Sequence, residues 1–265
     1  MEHPLYAAVY DRLCAGAEAA GLAERRAALL AGATGRVLEV GGGTGHNLKW
    51  YAAADSVVVL EPDAAMCRRL QPRLGDCPAP VTLIQAGIDE ADLQDASFDT
   101  VVCTLVLCTV PDLDRAMVRI RRLLAPGGRL LFLEHTAAPG GWGLVQRALD
   151  PLWHRAVPGC HLHRDPISAI RRSGLMVAGY DRIDLPLVPG LLRAGVVGTA
   201  CERTADSPVP PGTFPRRRSL GSHFTPSPRR PVRAASGTGA AKAASGATGG
   251  VAKSATAGAA SGAGR

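Results

Sequence analysis

One stretch constrains the fold more than any other: Val37-Leu38-Glu39-Val40-Gly41-Gly42-Gly43-Thr44-Gly45. An apolar run enters it, an acidic side chain stands two residues before the first glycine, and glycines follow at 41, 43 and 45. The pattern predicts a buried strand ending in a tight turn, where missing Cβ atoms let the backbone approach a ligand. A helix is expected to follow from Thr44 to about Tyr51. The dinucleotide fingerprint needs glycines at relative positions 1, 3 and 6. Counted from Gly41, the last of these falls on His46, so that fingerprint fails and a nicotinamide-dependent oxidoreductase is disfavoured.

Glu39-x-Gly41-x-Gly43-x-Gly45 instead resembles the first motif of class I S-adenosylmethionine-dependent methyltransferases. The resemblance implies that the glycine loop passes under the methionine part of the cofactor and that Glu39 helps hold the loop and the ammonium side. Glu61 stands 20 residues after Gly41 at the end of a second apolar run, about where a carboxylate accepts both ribose hydroxyls of a nucleoside. A group with two acceptor oxygens suits that role. The resemblance extends the cofactor set to Pro62, to Thr104 at the end of the fourth strand, and to Tyr10 in Tyr10-Asp11-Arg12, which is similar to the segment that caps the cofactor in small-molecule members. The acid that usually follows the third strand is missing: its position is Gly87, which leaves the Ile88 backbone or the Asp89 side chain to meet the adenine.

The rest of the chain reads as alternating strands and helices. Tyr6 to Ala31 predicts a helical lid and a lead-in helix, so that residues 1–35 precede the main domain. Strands are expected at 36–40, 57–60, 81–85, 100–105 and 129–133, with helices at 64–74 and 112–124 between them. Asp99 matches an acid that is structural in the family. Leu175 to Leu185 and Leu191 to Ala200 are β-like stretches, and the resemblance implies that they are the sixth strand and an antiparallel seventh of the same fold. The fold class is therefore α/β: a doubly wound, seven-stranded, mostly parallel Rossmann-like sheet over residues 36–200 with helices on both faces.

Charge separates this domain from the remainder of the chain. Of 30 basic and 23 acidic residues, 10 and 2 lie in the last 65, leaving 20 and 21 in the first 200. The basic balance belongs to residues 201–265, rich in Pro, Gly, Ala and Ser and expected to be disordered. It gives no reason to expect specific nucleic-acid binding by the folded part. The seven cysteines include no pair at metal-ligand spacing, so no metal is expected and a reduced, cytoplasmic setting is. No run of 18 apolar residues suggests a transmembrane segment.

A closer resemblance is carried by 101–110 (Val-Val-Cys-Thr-Leu-Val-Leu-Cys-Thr-Val), Leu133-Glu134-His135, Leu149-Asp150-Pro151-Leu152-Trp153-His154, Gly159-Cys160 and Val197-Gly198-Thr199-Ala200. Together they resemble the animal alkyl-thiol S-methyltransferases of the methyltransferase-like group. The implied reaction is an in-line displacement at the sulfonium methyl of S-adenosylmethionine, with a small molecule, a lipophilic thiol by this resemblance, as acceptor. Quinols, phenols, amines, carboxylates and lipids remain alternatives, as does a noncatalytic interaction role for the fold. His135, leaving strand five at the edge where open α/β sheets bind ligands, is the first candidate for proton acceptor. Asp150 and His154, four apart on one helix face, are candidates for a second base or orienting pair. Trp142, Val145, Leu149, Leu152 and Trp153 form an apolar helical stripe, suited to a core or a lipophilic pocket.

Overall fold

A computed structural model describes residues 2–186 and 190–202. The segment expected to be disordered lies outside the described residues from position 203 onward. Seven strands make one sheet: β1 (Gly35–Val40), β2 (Ala54–Leu60), β3 (Val81–Ile84), β4 (Phe98–Thr104), β5 (Leu124–His135), β6 (Met176–Asp184) and β7 (Ala194–Cys201). Their order is β3-β2-β1-β4-β5-β7-β6. The first five are parallel, and β7 runs antiparallel to both of its neighbours. Strand order reverses between β1 and β4, which opens a crevice beyond their carboxyl ends.

The near-continuous apolar runs follow from burial on both faces. Leu38, Val101, Cys103, Leu130 and Phe132 pack on one side of the sheet with Met117 and Ile120 of α4 (Leu113–Leu123) and Ile170 of α6 (Pro166–Arg172). The alternate residues Val37, Val102, Leu131 and Leu133 pack on the other with Leu29 and Leu30 of α2 (Ala23–Leu30). The lid is α1 (Pro4–Ala17), joined to α2 through a wide turn where Gly21 takes φ 110°. Asp99 is structural, accepting the Arg36 amide at 2.8 Å.

Besides strand ends that shift, as in β5, which starts at Leu124 and not at 129, three elements differ from expectation. Residues 44–51 hold only a single 3-10 turn, Leu48–Trp50. Gly45 at φ 91° and the inward pull on the Asn47 side chain break the helix before it starts. The helix after β2 is α3 (Ala64–Leu70), capped by Asp63, and it tightens to 3-10 geometry over Gln71–Asp76, where Pro72 has no N–H to continue it. The helix α5 (Gly141–Ala156) forms, but all of its apolar stripe except Trp153 faces outward: Trp142 is 66% exposed and Leu152 68%, whereas Gln146 and Asp150 are buried. Polar bonding decides its orientation, because Gln146 Oε1 accepts the Ala138 amide at 2.7 Å and Asp150 Oδ1 the Leu162 amide at 2.6 Å.

β7 is seated by a glycine. A Cβ at Gly198 would overlap the Gly179 carbonyl oxygen and stand 2.6 Å from Tyr180 Cβ and 2.7 Å from Phe132 Cζ. Gly198→Ala should therefore cost about 3 kcal/mol in urea unfolding, the upper range for overpacking. Gly16→Ala, at a helical position with nothing within 4 Å, should instead stabilise by about 0.5–1 kcal/mol. Equal effects at the two sites would refute the packing argument.

Candidate active site

The crevice floor is the loop after β1. Gly41, Gly43 and Gly45 all have positive φ, at 70°, 55° and 91°. Two of them answer to internal packing: a Cβ on Gly41 would overlap Val106, and one on Gly45 would stand 2.9 Å from Leu48 Cδ1. Gly43 is different, since a Cβ there would meet only the Tyr10 ring, at 3.9 Å. Gly43 thus lies bare directly beneath the Tyr10 ring of the lid.

The loop is pinned by a buried polar network. Glu39, 2% exposed, accepts from Asn47 Nδ2 at 2.8 Å and from the Tyr51 hydroxyl at 2.9 Å. Arg26 Nη1 donates to Asn47 Oδ1 at 3.0 Å and to Thr104 Oγ1 at 2.9 Å, and Asn47 Nδ2 reaches the same hydroxyl at 2.8 Å. Thr104 therefore ties β4 to the loop. Burial raises the Glu39 carboxyl to about 7, against the opposing pull of the Tyr51 and Asn47 bonds and the Arg26 charge.

Glu61, at the end of β2, accepts the Gly43 amide at 2.7 Å and the Asp63 amide at 2.9 Å, one on each oxygen. Each oxygen keeps a second lone pair for a further donor. Burial raises its carboxyl, and the two amides pull the other way. Pro62 beside it is exposed. Ile88 is buried in the core, and Asp89 faces Arg115 at 3.4 Å.

The lid is latched to this floor through Asp11, which sequence reading did not single out. Its carboxylate accepts from Thr44 Oγ1 and from Arg73 Nη2, both at 2.6 Å, while Arg73 Nη1 donates to the Thr44 carbonyl at 2.9 Å. Burial would raise the Asp11 carboxyl, but these bonds and the Arg73 and His46 charges outweigh it and hold it low. Tyr6 and Tyr10 stand edge to face, with ring centres 5.6 Å apart.

The acceptor side is built from two loops and the end of β5. His135, at the end of β5, is 3% exposed, with Nε2 3.5 Å from Cys160 Sγ and Nδ1 buried without a hydrogen-bond partner. Cys108 follows β4 after Leu105, a non-glycine residue at φ 55°. The Cys108 carbonyl accepts the His161 amide at 2.9 Å, and Arg164 Nη1 binds the Leu107 and Val110 carbonyls at 2.8 and 2.6 Å. Cys108, His135 and Cys160 consequently bring one donor atom each to within 4.8 Å of one another. The hydrogen bond from Cys108 lowers the Cys160 thiol, burial opposes it, and His135 adds to the lowering. Trp153 lies beside Cys160, its indole N–H otherwise unpartnered.

Asp150 does not orient His154. It pairs with His161 Nδ1 at 3.0 Å and His163 Nδ1 at 3.2 Å while holding the Leu162 amide. Exposed His154 stacks on His161 with ring centres 4.5 Å apart. Four residues of separation put Asp150 and His154 on one face, but the loop after α5 supplies closer partners. Glu134, missed in the sequence, is fully buried: Oε1 accepts the Val106 and Leu107 amides at 3.0 and 3.1 Å, and Oε2 has no partner.

The Glu39 environment makes a stability prediction. A carboxyl moved from 4.5 to about 7 binds its proton more tightly in the folded state, so its contribution to stability falls as pH rises from about 4.5 to about 7 and is flat above. Glu39→Gln removes this dependence. In urea unfolding of ligand-free protein, the stability of the variant relative to wild type should grow across that window, by up to about 1.4 kcal/mol per pH unit. A difference that stays constant from pH 4.5 to 8 would show that the buried carboxyl ionises normally.

Comparison with known proteins bears on this geometry. Residues 38–132 match the family model described as a methyltransferase domain. The human thiol S-methyltransferase TMT1A is 34% identical over 177 residues, covering 64% of this chain and 72% of that protein. Human thiol S-methyltransferase TMT1B is 37% identical over 143 residues, 51% of this chain and 59% of that protein. The crystal structure of the YcgJ protein of Bacillus subtilis superposes with a TM-score of 0.56 at 13% identity, over 68% of this chain and 99% of that one, which speaks to the fold alone. Among the described residues, no helix is long and apolar enough to cross a membrane. The glycine loop, the sheet order and these relatives agree: the chain belongs to the class I S-adenosylmethionine-dependent methyltransferases and is related to those that act on thiols and other small molecules.

Proposed function

We propose that this methyltransferase acts on a small lipophilic thiol, converting it to a methyl thioether. The observation that carries the reading is the buried site of two sulfurs and an imidazole at Cys108, Cys160 and His135, at the carboxyl edge of the sheet. Asp150 is committed to His161, His163 and the Leu162 amide, and one oxygen of Glu134 to two backbone amides. The acceptor that needs least help with its proton suits such a site. Sulfur is intrinsically a strong nucleophile, so a thiol depends less on a positioned base than a phenol or alcohol oxygen does. The names of the human relatives point the same way.

In this reading Gly43 and Tyr10 hold the cofactor between loop and lid. Glu61 accepts the ribose hydroxyls with its remaining lone pairs, and Glu39 keeps the loop in place from below. S-adenosylmethionine, when bound, supplies a methyl group on a sulfonium, whose sulfur keeps the electron pair of the broken bond. The chain's contribution is collinear placement and exclusion of water, with Tyr6 and Tyr10 as the roof. His135 lines the position of the acceptor sulfur. Asp150 and His154 serve the loop that carries Cys160.

Two measurements test this. Gly43→Ala places a methyl group that meets only Tyr10, at 3.9 Å, between loop and lid, and at φ 55° it also strains the loop, so the fold of the variant is checked by circular dichroism first. Calorimetry should show a folded variant whose affinity for S-adenosylmethionine is weakened at least about tenfold, or 1.4 kcal/mol. Wild-type affinity in the folded variant would remove the cofactor from this crevice. For the acceptor, methylation of an alkyl thiol should exceed that of its matched phenol by about 100-fold or more, the lower end of what a positioned base contributes. Faster turnover of the phenol, or of a carboxylate or amine, would reject the thiol.

A further inference from the structure

Cys108 and Cys160 come from two separate loops and His135 from the end of β5 at the carboxyl edge of the sheet, and one donor atom of each lies within 4.8 Å of the other two. All three side chains are buried, at 4%, 3% and 4% exposure. Their backbones are fixed independently of any ligand. The His161 amide on the Cys108 carbonyl joins the two loops, Arg164 clamps the Leu107 and Val110 carbonyls, and Asp150 holds the Leu162 amide. A tetrahedral zinc ion with Zn–S of about 2.3 Å and Zn–N of about 2.0 Å places a sulfur and a nitrogen ligand about 3.5 Å apart. The separation of Cys160 Sγ from His135 Nε2 is 3.5 Å.

The donor set selects the ion. Two sulfurs and an imidazole suit zinc and disfavour magnesium or calcium, which need oxygen ligands. Three protein ligands also leave one position of a tetrahedron open, the arrangement of a reactive rather than a purely structural zinc site. The neighbourhood includes two buried polar atoms without a hydrogen-bond partner, Nδ1 of His135 and Oε2 of Glu134. Such atoms are uncommon in a closed core.

We infer that Cys108, His135 and Cys160 form a three-ligand Zn²⁺ site whose fourth position takes the sulfur of the acceptor thiol, an assignment that rests on the thiol reading for its substrate but not for its metal. Loading releases the protons of Cys108 and Cys160 to solvent as their thiolates bind the ion. When the acceptor enters, its S–H bond breaks heterolytically: the sulfur keeps the electron pair and bonds to zinc, and the proton leaves to solvent. The site then presents a thiolate at neutral pH without a side-chain base. His135 acts through the ion instead of taking the proton itself.

The test uses the full chain, and its metal readouts need no turnover. Purified protein titrated with Zn²⁺ against a chromophoric chelator should take up about one ion per chain, and the Co²⁺ form should show thiolate charge-transfer and tetrahedral ligand-field bands. Both should be lost in Cys108→Ser and in Cys160→Ser, with circular dichroism confirming the fold. Phenylmethanethiol should shift the Co²⁺ bands and benzyl alcohol should not. Absence of stoichiometric metal in folded wild-type protein overturns the site whatever the variants do. Thiol methylation at an undiminished rate after complete removal of metal also overturns it, while leaving the proposed function standing. Band shifts with the thiol but no thiol methylation would keep the metal site and sink the proposed function.

Discussion

A carboxylate almost out of reach of water is the constraint on which the cofactor side depends. Removing an ionised group from solvent is costly unless it is paired or fully hydrogen-bonded. Glu39 has two donors, from Asn47 and Tyr51, and the Arg26 guanidinium is close enough to favour its charge. Those partners lie at both ends of the turn that comes after β1, in the helix that precedes it and, through Thr104, in the next strand of the sheet. The glycines can take positive φ in a stable loop because that loop cannot move away from the acid beneath it. Lid and floor are joined by a second set of charges, with Asp11 between Thr44 and Arg73. Closure over the crevice is thereby coupled to the position of the glycine loop.

The acceptor side is held differently. There the buried polar groups secure backbone segments of neighbouring loops: Glu134 the turn after β4, Arg164 the next few residues, Asp150 the loop after α5. Each bond is local, but together they bring the two thiols and the imidazole into one buried space. The same demand explains the orientation of α5. Satisfying the Ala138 and Leu162 amides requires Gln146 and Asp150 to point inward, and the apolar stripe is left on the opposite face.

Much of this was legible in the sequence. Runs such as Val101-Val102-Cys103 are apolar without alternation because helices cover both sheet faces, and that pattern together with the turn signals showed the strand succession, while the reversed last strand was expected from the family resemblance alone. The glycine spacing located the crevice. Less was legible where a residue's role depends on distant partners. Asn47 and Arg26 are ordinary polar residues until folding sets them against Glu39 and Thr104. The α5 stripe showed that one face is apolar but not which way it turns, since periodicity carries no direction. Cys108, His135 and Cys160 have no ligand spacing in the chain, and only the convergence of two loops on the end of β5 brings them together.

The reversal of β7 has a practical meaning. Its first residues pair with the end of β5, Gly195 opposite His135, and its last, Cys201, pairs with Arg129 at the opposite end of that strand. Every parallel strand delivers its carboxyl end to the crevice, but the final strand delivers its amino end there and carries the chain away. Glu202 therefore departs from the rim remote from the crevice. An affinity handle fused at Glu202 would start at the amino-end rim of the parallel strands, a full strand length from the chemistry.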